Sequence, residues 1–148
     1  MKGQIEIDAP LSKVFDLYID KQNYARWKSG FVNYEPVSGN TTEKGSVVLL
    51  NYKGYTMRET VEEINPPNLY VARYERLQNG KPMMTHVADS QFIALDDNKT
   101  RIIVNSEVTN VNGFVMKLVV KLMAKMGEKQ LNDQLKLFKN LAEKSASS

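Results

Sequence analysis

The sequence predicts one α+β domain in which a curved antiparallel sheet is closed by a long C-terminal amphipathic helix, with an apolar cavity between them. Three observations carry this. From Phe31 to Thr109 short runs of alternating apolar and polar residues are separated by hairpin-length turns, as in an antiparallel meander with one buried face. After Asn112 the apolar residues recur at helical spacing instead. A length of 148 residues, with 42% hydrophobic and 25% charged residues, suits one ordinary globular domain with a real core.

The elements follow in order. Gln4, Ile5, Glu6, Ile7 and Asp8 alternate as a short strand. Pro10 stands where the first turn of a helix tolerates proline, and Leu11, Val14, Phe15 and Tyr18 keep helical spacing. Asp20 is a candidate N-cap for a second short helix carrying Tyr24 and Trp27. Strands are expected at 31–37, 46–52, 56–64, 69–77, 83–95 and 100–109, with a polar loop over 39–45. Lys53-Gly54, Pro66-Pro67 and Asn79-Gly80 punctuate them, and Asn79-Gly80 is the strongest hairpin signal because both residues tolerate positive φ. The last segment is a helix of about 30 residues, ~45 Å if unbroken. Asn112 is its candidate N-cap, and Met116, Val119, Val120, Met123, Leu131, Leu135, Phe138 and Leu141 trace its apolar stripe. Gly127 marks a place where it can bend, dividing a cavity-wall half from a packed half. Residues 1–148 read as one domain with a frayed tail at 145–148. A one-faced sheet must be covered, and no other element is long enough to cover this one.

Composition excludes several function classes. With no cysteine there are no disulfides, thiolate nucleophiles, cysteine-ligated zinc or iron–sulfur clusters. A single histidine, His86, excludes a multi-histidine metal site. No apolar run approaches the ~20 residues of a membrane span, no leader-like segment is evident, and the expected address is cytoplasmic. The net charge of +3 does not call for nucleic acid, and the lysines are not interleaved with aromatics. No phosphate-binding loop, nucleophile elbow or dinucleotide fingerprint is present, and no cofactor is expected. The sequence leaves the oligomeric state open.

Ile7-Asp8-Ala9-Pro10, Val14-Phe15, Asp20 leading to Trp27, Gly45, Glu59-Thr60-Val61 before Pro66-Pro67, and Thr100-Arg101-Ile102 occur in an order that resembles the START-like superfamily, also called SRPBCC or helix-grip. The resemblance covers nearly the whole chain and is nearest the polyketide cyclase/dehydrase-type and lipid-transport-type branch. It implies a seven-stranded antiparallel sheet gripping the C-terminal helix, and a cavity for apolar or amphipathic small molecules. The stretch 37–45 carries only two separated glycines, unlike the birch-pollen-allergen branch. The paired tryptophans of the chaperone-activator branch are absent near Trp27. No catalytic residue is carried over.

Strand alternation then sorts the side chains. Met57, Glu59 and Val61 share one face, as do Tyr70, Ala72 and Tyr74; Met84, His86, Ala88, Ser90 and Phe92; and Ile102, Val104, Ser106 and Val108. The inward polar groups are therefore Glu59, Tyr74, His86 and Ser106. A cavity carboxylate with a raised pKa beside a histidine could move protons in an enolisation, dehydration or cyclisation. The structural alternative pairs Glu59 with Arg58 or another cation at the cavity mouth and bonds His86 to a tyrosine. The candidate ligand-binding set is Tyr52, Met57, Glu59, Tyr70, Tyr74, Met84, His86, Ser106, Met116, Val120 and Met123, with Glu59 and His86 as catalytic candidates. Lys117, Lys121 and Lys125 make a basic ridge that either lies in solvent or meets an anionic membrane surface or partner. The expected function is binding of a hydrophobic small molecule. The alternatives are a cofactor-independent cyclase, dehydratase or isomerase, and a helper protein that meets a partner or membrane through the helix.

Overall fold

The computed structural model describes residues 1–147, apart from the side chains of Met116, Met123 and Lys125. The chain runs β1 (Lys2–Ile7), α1 (Leu11–Ile19), a 3-10 turn (Lys21–Asn23), α2 (Tyr24–Trp27), β2 (Phe31–Ser38), β3 (Val47–Tyr52), β4 (Tyr55–Asn65), β5 (Leu69–Gln78), β6 (Lys81–Asp96), β7 (Lys99–Val111) and α3 (Phe114–Ser147). The seven strands form one sheet in the order β1-β7-β6-β5-β4-β3-β2. Each neighbouring pair is antiparallel. β1 and β2 are therefore the two edges, and the short helices span the distance between them.

Local chemistry sets the boundaries. Pro10 occupies the N-cap position of α1. Asp20 caps the 3-10 turn, its Oδ1 accepting from the Gln22 amide at 2.9 Å, and that turn leads directly into α2. Asn79 and Gly80 both take positive φ, 52° and 75°, as a tight hairpin requires. Asn112 does not cap α3. Its amide donates to the Met83 carbonyl and its side chain to the Pro82 carbonyl, so it is held on β6. Gly113, at φ 93°, then turns the chain into the helix.

α3 has 34 residues, about 50 Å of helix. It continues through Gly127 without a break and replaces the expected frayed tail as far as Ser147. Ser148 lies outside the described residues. The absent side chain at Gly127 leaves room for the Met1 thioether. The helix packs against β1, α1 and α2. It lies tight against β1 at Gly3, where a Cβ would stand 2.9 Å from Leu135 Cδ1 and 3.0 Å from Leu131 Cγ.

The core is a wedge of interlocked rings. Phe92 meets Phe15 and Tyr18 edge-on, at 5.1 and 5.0 Å between ring centroids. Phe138 meets Tyr18 at 5.3 Å and Trp27 at 5.0 Å. These contacts tie α1 and α2 to β6 and to the second half of α3. The first half of α3 is different. Phe114, Val115, Leu118, Leu122 and Met126 are exposed, Leu122 by 80%, whereas Leu135 and Phe138 are buried.

Candidate functional site

Register builds the site row by row. Val48, Glu59, Tyr74, His86 and Val108 are cross-strand partners from β3 to β7, so one row crosses the sheet beneath the helices. Glu59 is fully buried. Its partner is Lys21, not Arg58: Lys21 Nζ lies 2.6 Å from Glu59 Oε1. Arg58 pairs with Glu75 instead. Tyr70 Oη donates to Glu59 Oε1 at 2.6 Å, and Tyr24 Oη to Oε2 at 3.2 Å. Lys21 Nζ also donates to Tyr70 Oη at 2.8 Å and to the Ile19 carbonyl at 3.3 Å. The pair is deep in the core, not at a cavity mouth. Every strong donor and acceptor in it has a partner, which a buried ion pair requires.

The electrostatics follow from this packing. Burial pushes the Glu59 carboxyl up, but the Lys21 and Lys28 charges and the hydrogen bonds from Lys21 and Tyr70 pull it further down. The net result lies below the usual carboxylate range. Glu59 is ionised and paired, which replaces the raised, proton-moving carboxylate expected from the sequence. His86 is lowered to about 4, first by burial and then by the Lys28 charge. It stacks on Tyr74 at 5.1 Å with 17° between the rings, in place of the expected hydrogen bond to a tyrosine. Tyr74 stands between Glu59 and His86 in the register, which separates their backbones by two strand spacings, roughly 10 Å. The two catalytic candidates do not form a dyad.

Beside this row a cavity of about 230 Å³ opens between the sheet and α3. Tyr18, Trp27 and Lys28 line it from the short helices; Tyr52, Tyr55, Met57, Tyr74, His86, Ala88, Val104 and Ser106 from the sheet; and Gln130, Leu131, Gln134 and Leu135 from α3. Tyr52, Met57, Tyr74, His86 and Ser106 of the sequence-derived set thus meet around one space. Glu59 and Tyr70 are buried in the ion-pair network and are not among the described lining residues. Met84 and Val120 are also outside that lining. The side chains of Met116 and Met123 lie outside the described residues. Among the described residues, the α3 part of the cavity wall runs from Gly127 to Leu135. Val108 shares the face of its partner His86 but is 37% exposed, so the row ends uncovered at β7. A register shift between Thr85 and His86 follows it.

Sequence pattern missed Lys21 and Lys28. Lys28 Nζ lies over the rings of Tyr24, Trp27 and Tyr74, at 4.4, 4.8 and 5.6 Å from their centroids. Burial lowers its ammonium to about 8, with Glu59 opposing and Lys21 adding to the shift. Both lysines sit on turns too short to show a period. The only available signal was the ring-rich setting Tyr24-Ala25-Arg26-Trp27-Lys28.

A curved sheet gripping a C-terminal helix, with a cavity lined by both, defines a helix-grip domain. The chain belongs to the family described as polyketide cyclase / dehydrase and lipid transport, whose pattern matches residues 1–143. No curated protein matches the sequence. Among solved structures it is similar to the di-domain aromatase/cyclase StfQ of the steffimycin biosynthetic pathway, with 16% identity and a TM-score of 0.72, covering 98% of this chain and 45% of that one. The chain therefore spans about half of that protein. It is also similar to the Zhui aromatase/cyclase from a Streptomyces species, with 16% identity and a TM-score of 0.71 over 97% of this chain and 92% of that one. Ara h 8.0201 matches at 14% identity and a TM-score of 0.63, over 96% and 95% of the two chains. At such identities the likeness is one of fold.

Among the described residues, no group of carboxylates and histidine could hold a metal ion. No helix of those residues is long and apolar enough to cross a membrane.

Proposed function

We propose that the protein binds a hydrophobic or amphipathic small molecule in the cavity between the sheet and α3, for sequestration or transport. One observation carries this: a space of about 230 Å³, walled by aromatic and aliphatic side chains with a few polar groups, persists beside an otherwise interlocked core. Ligand pockets commonly measure about 300–1,000 Å³, so the occupant is small or leaves part of itself outside. Tyr74, His86 and Ser106 are available to orient a polar end, while apolar burial supplies most of the affinity. The cytoplasmic address is part of the same proposal. Native mass spectrometry of freshly purified protein tests it. A co-purifying small molecule, lost when Ala88→Trp fills the cavity, is the expected result; an adduct retained by Ala88→Trp places binding elsewhere.

A cofactor-independent cyclase, dehydratase or isomerase using Glu59 and His86 has weaker support, because Glu59 is held ionised by Lys21 and Tyr74 separates it from His86. A reading as a membrane-surface protein draws on a separate observation. At about 100° per residue, Val115, Leu118, Leu122 and Met126 form one stripe on the side of α3 opposite Leu131, Leu135, Phe138 and Ala142. That stripe is exposed. Lys121, also exposed, lies to one side of it, whereas Lys117 points the other way, and no acidic residue occurs from Phe114 to Gly127. An apolar stripe with a basic flank suits an anionic bilayer surface. Co-sedimentation with phosphatidylserine vesicles but not phosphatidylcholine vesicles, weakened by Leu122→Asp and by reversing Lys121, is expected. Charge reversal without effect removes the reading, and dimerisation through this stripe in ultracentrifugation replaces it.

A further inference from the structure

Lys28 is the only charged side chain among the described residues lining the cavity, and no carboxylate lines it. The nearest buried acid, Glu59, is already taken by Lys21 at 2.6 Å and by the hydroxyls of Tyr70 and Tyr24. Lys28 Nζ has no ion-pair or hydrogen-bond partner among the described residues. Three aromatic faces support it instead, from Tyr24, Trp27 and Tyr74. Ring faces attract an ammonium but accept only weakly from its N–H groups. Next to it, the buried indole N–H of Trp27 also lacks an acceptor. The same wall therefore presents a positive charge, while Met57, Leu131 and Leu135 give the space an apolar side and Ser106, Gln130 and Gln134 a polar one.

We propose that Lys28 is the anion anchor of the cavity and that its ligand class is the amphipathic anion: a small aromatic or aliphatic body carrying one carboxylate, sulfonate or enolate. This rests on the cavity-binding proposal and narrows it. The anionic head accepts hydrogen bonds from Lys28 Nζ, and the body fills the apolar space toward α3. Charge-assisted hydrogen bonds are the strong ones, and more so where water is excluded. Without a ligand the ammonium is held against the cost of burial, which lowers it to about 8. A bound anion supplies the missing counter-charge and raises it again. The other titratable groups facing it are the Tyr24 and Tyr74 hydroxyls, His86, Glu59 and Lys21. His86 is neutral at pH 7 and does not compete for the anion.

Two probes of similar size separate this proposal from the cavity reading beneath it. They are anionic 1-anilinonaphthalene-8-sulfonate and neutral N-phenyl-1-naphthylamine, each titrated at pH 7 into the full chain. Ala88→Trp, which fills the cavity, locates the bound probe. Lys28→Met keeps an apolar stem of similar length. It is expected to weaken the anionic probe at least tenfold, to change the neutral one less than twofold, and to leave the thermal midpoint equal or higher. Lys28→Arg keeps the preference for the anion. In the wild type, anion affinity falls from pH 7 to pH 10 while that of the neutral probe stays level. Equal weakening of both probes by Lys28→Met, or no change in either, overturns the anchor and leaves the cavity reading standing. Failure of both probes to bind the wild type, or binding indifferent to Ala88→Trp, overturns the cavity reading and the anchor with it.

Discussion

Glu59 and Lys21 stabilise the fold only as a pair. Removing the carboxylate strands an ammonium with the Tyr70 hydroxyl and the Ile19 carbonyl as its remaining partners. Breaking one side of a buried pair costs about 3–5 kcal/mol. Glu59→Ala is therefore expected to lower urea-unfolding stability by that amount, and the double variant Glu59→Leu with Lys21→Met by clearly less. His86 gives a second prediction at this scale. Its folded pKa lies below the ordinary 6.5, at about 4. The unfolded chain therefore binds the extra proton first, and stability is lost as pH falls from 6.5 toward 4. The slope implies about 1–2 kcal/mol between pH 7 and pH 5. His86→Phe, which preserves the ring on Tyr74, should remove that increment from urea melts at the two pH values. An unchanged difference would contradict the burial assigned to the imidazole. Alternation along β4, β5 and β6 was enough to turn Glu59, Tyr74 and His86 inward. It could not show that they occupy one row in that order, because cross-strand register depends on turns and bulges, not on strand period. It was silent on Lys21 and Lys28, which stand on non-periodic turns.

Among the elements, α3 is two segments in one unbroken helix. From Leu131 to Ala142 it is clamped by β1, α1 and α2, through Gly3 and the rings of Tyr18 and Trp27. From Phe114 to Met126 it carries the large exposed apolar residues. Hydrogen exchange should follow this division. Amides of 131–142 are expected to exchange near the global unfolding limit and those of 115–126 orders of magnitude faster; uniform protection would contradict the division. Phe138→Ala, which removes the ring meeting Tyr18 and Trp27, is expected to cost about 3–5 kcal/mol. Gly3→Val is expected to cost about 1–3 kcal/mol by forcing Leu131 and Leu135 aside; thermal melts read both. The strands were legible from period-2 alternation and from turn residues such as Asn79-Gly80. The division of α3 was not. Both halves carry apolar residues at helical spacing, and only the packed structure shows that the outward stripe of the first half has no described partner in the chain.

For the molecule as a whole, the sheet, short helices and α3 border a small space whose lining is part apolar and part polar. Hydroxyls, amides and a neutral imidazole lie around it, with Lys28 as the one charged side chain and no acid in the described lining. The sequence order predicted the cavity because a one-faced sheet must be covered by its longest helix. Among the described residues the α3 wall begins at Gly127, and of the three wall residues expected on the first half only Val120 has a described side chain, which lies outside the lining. The central claim is that this space is a binding site and not a packing gap. The most direct measurement is the quenching of Trp27, the chain's only tryptophan and a cavity wall residue, during titration with neutral N-phenyl-1-naphthylamine, in the wild type and in Ala88→Trp with Trp27→Phe as the signal control. Saturable one-to-one quenching at micromolar probe, absent when Ala88→Trp occupies the space, is the predicted result; no saturation in the wild type, or the same affinity with the cavity filled, would contradict the claim.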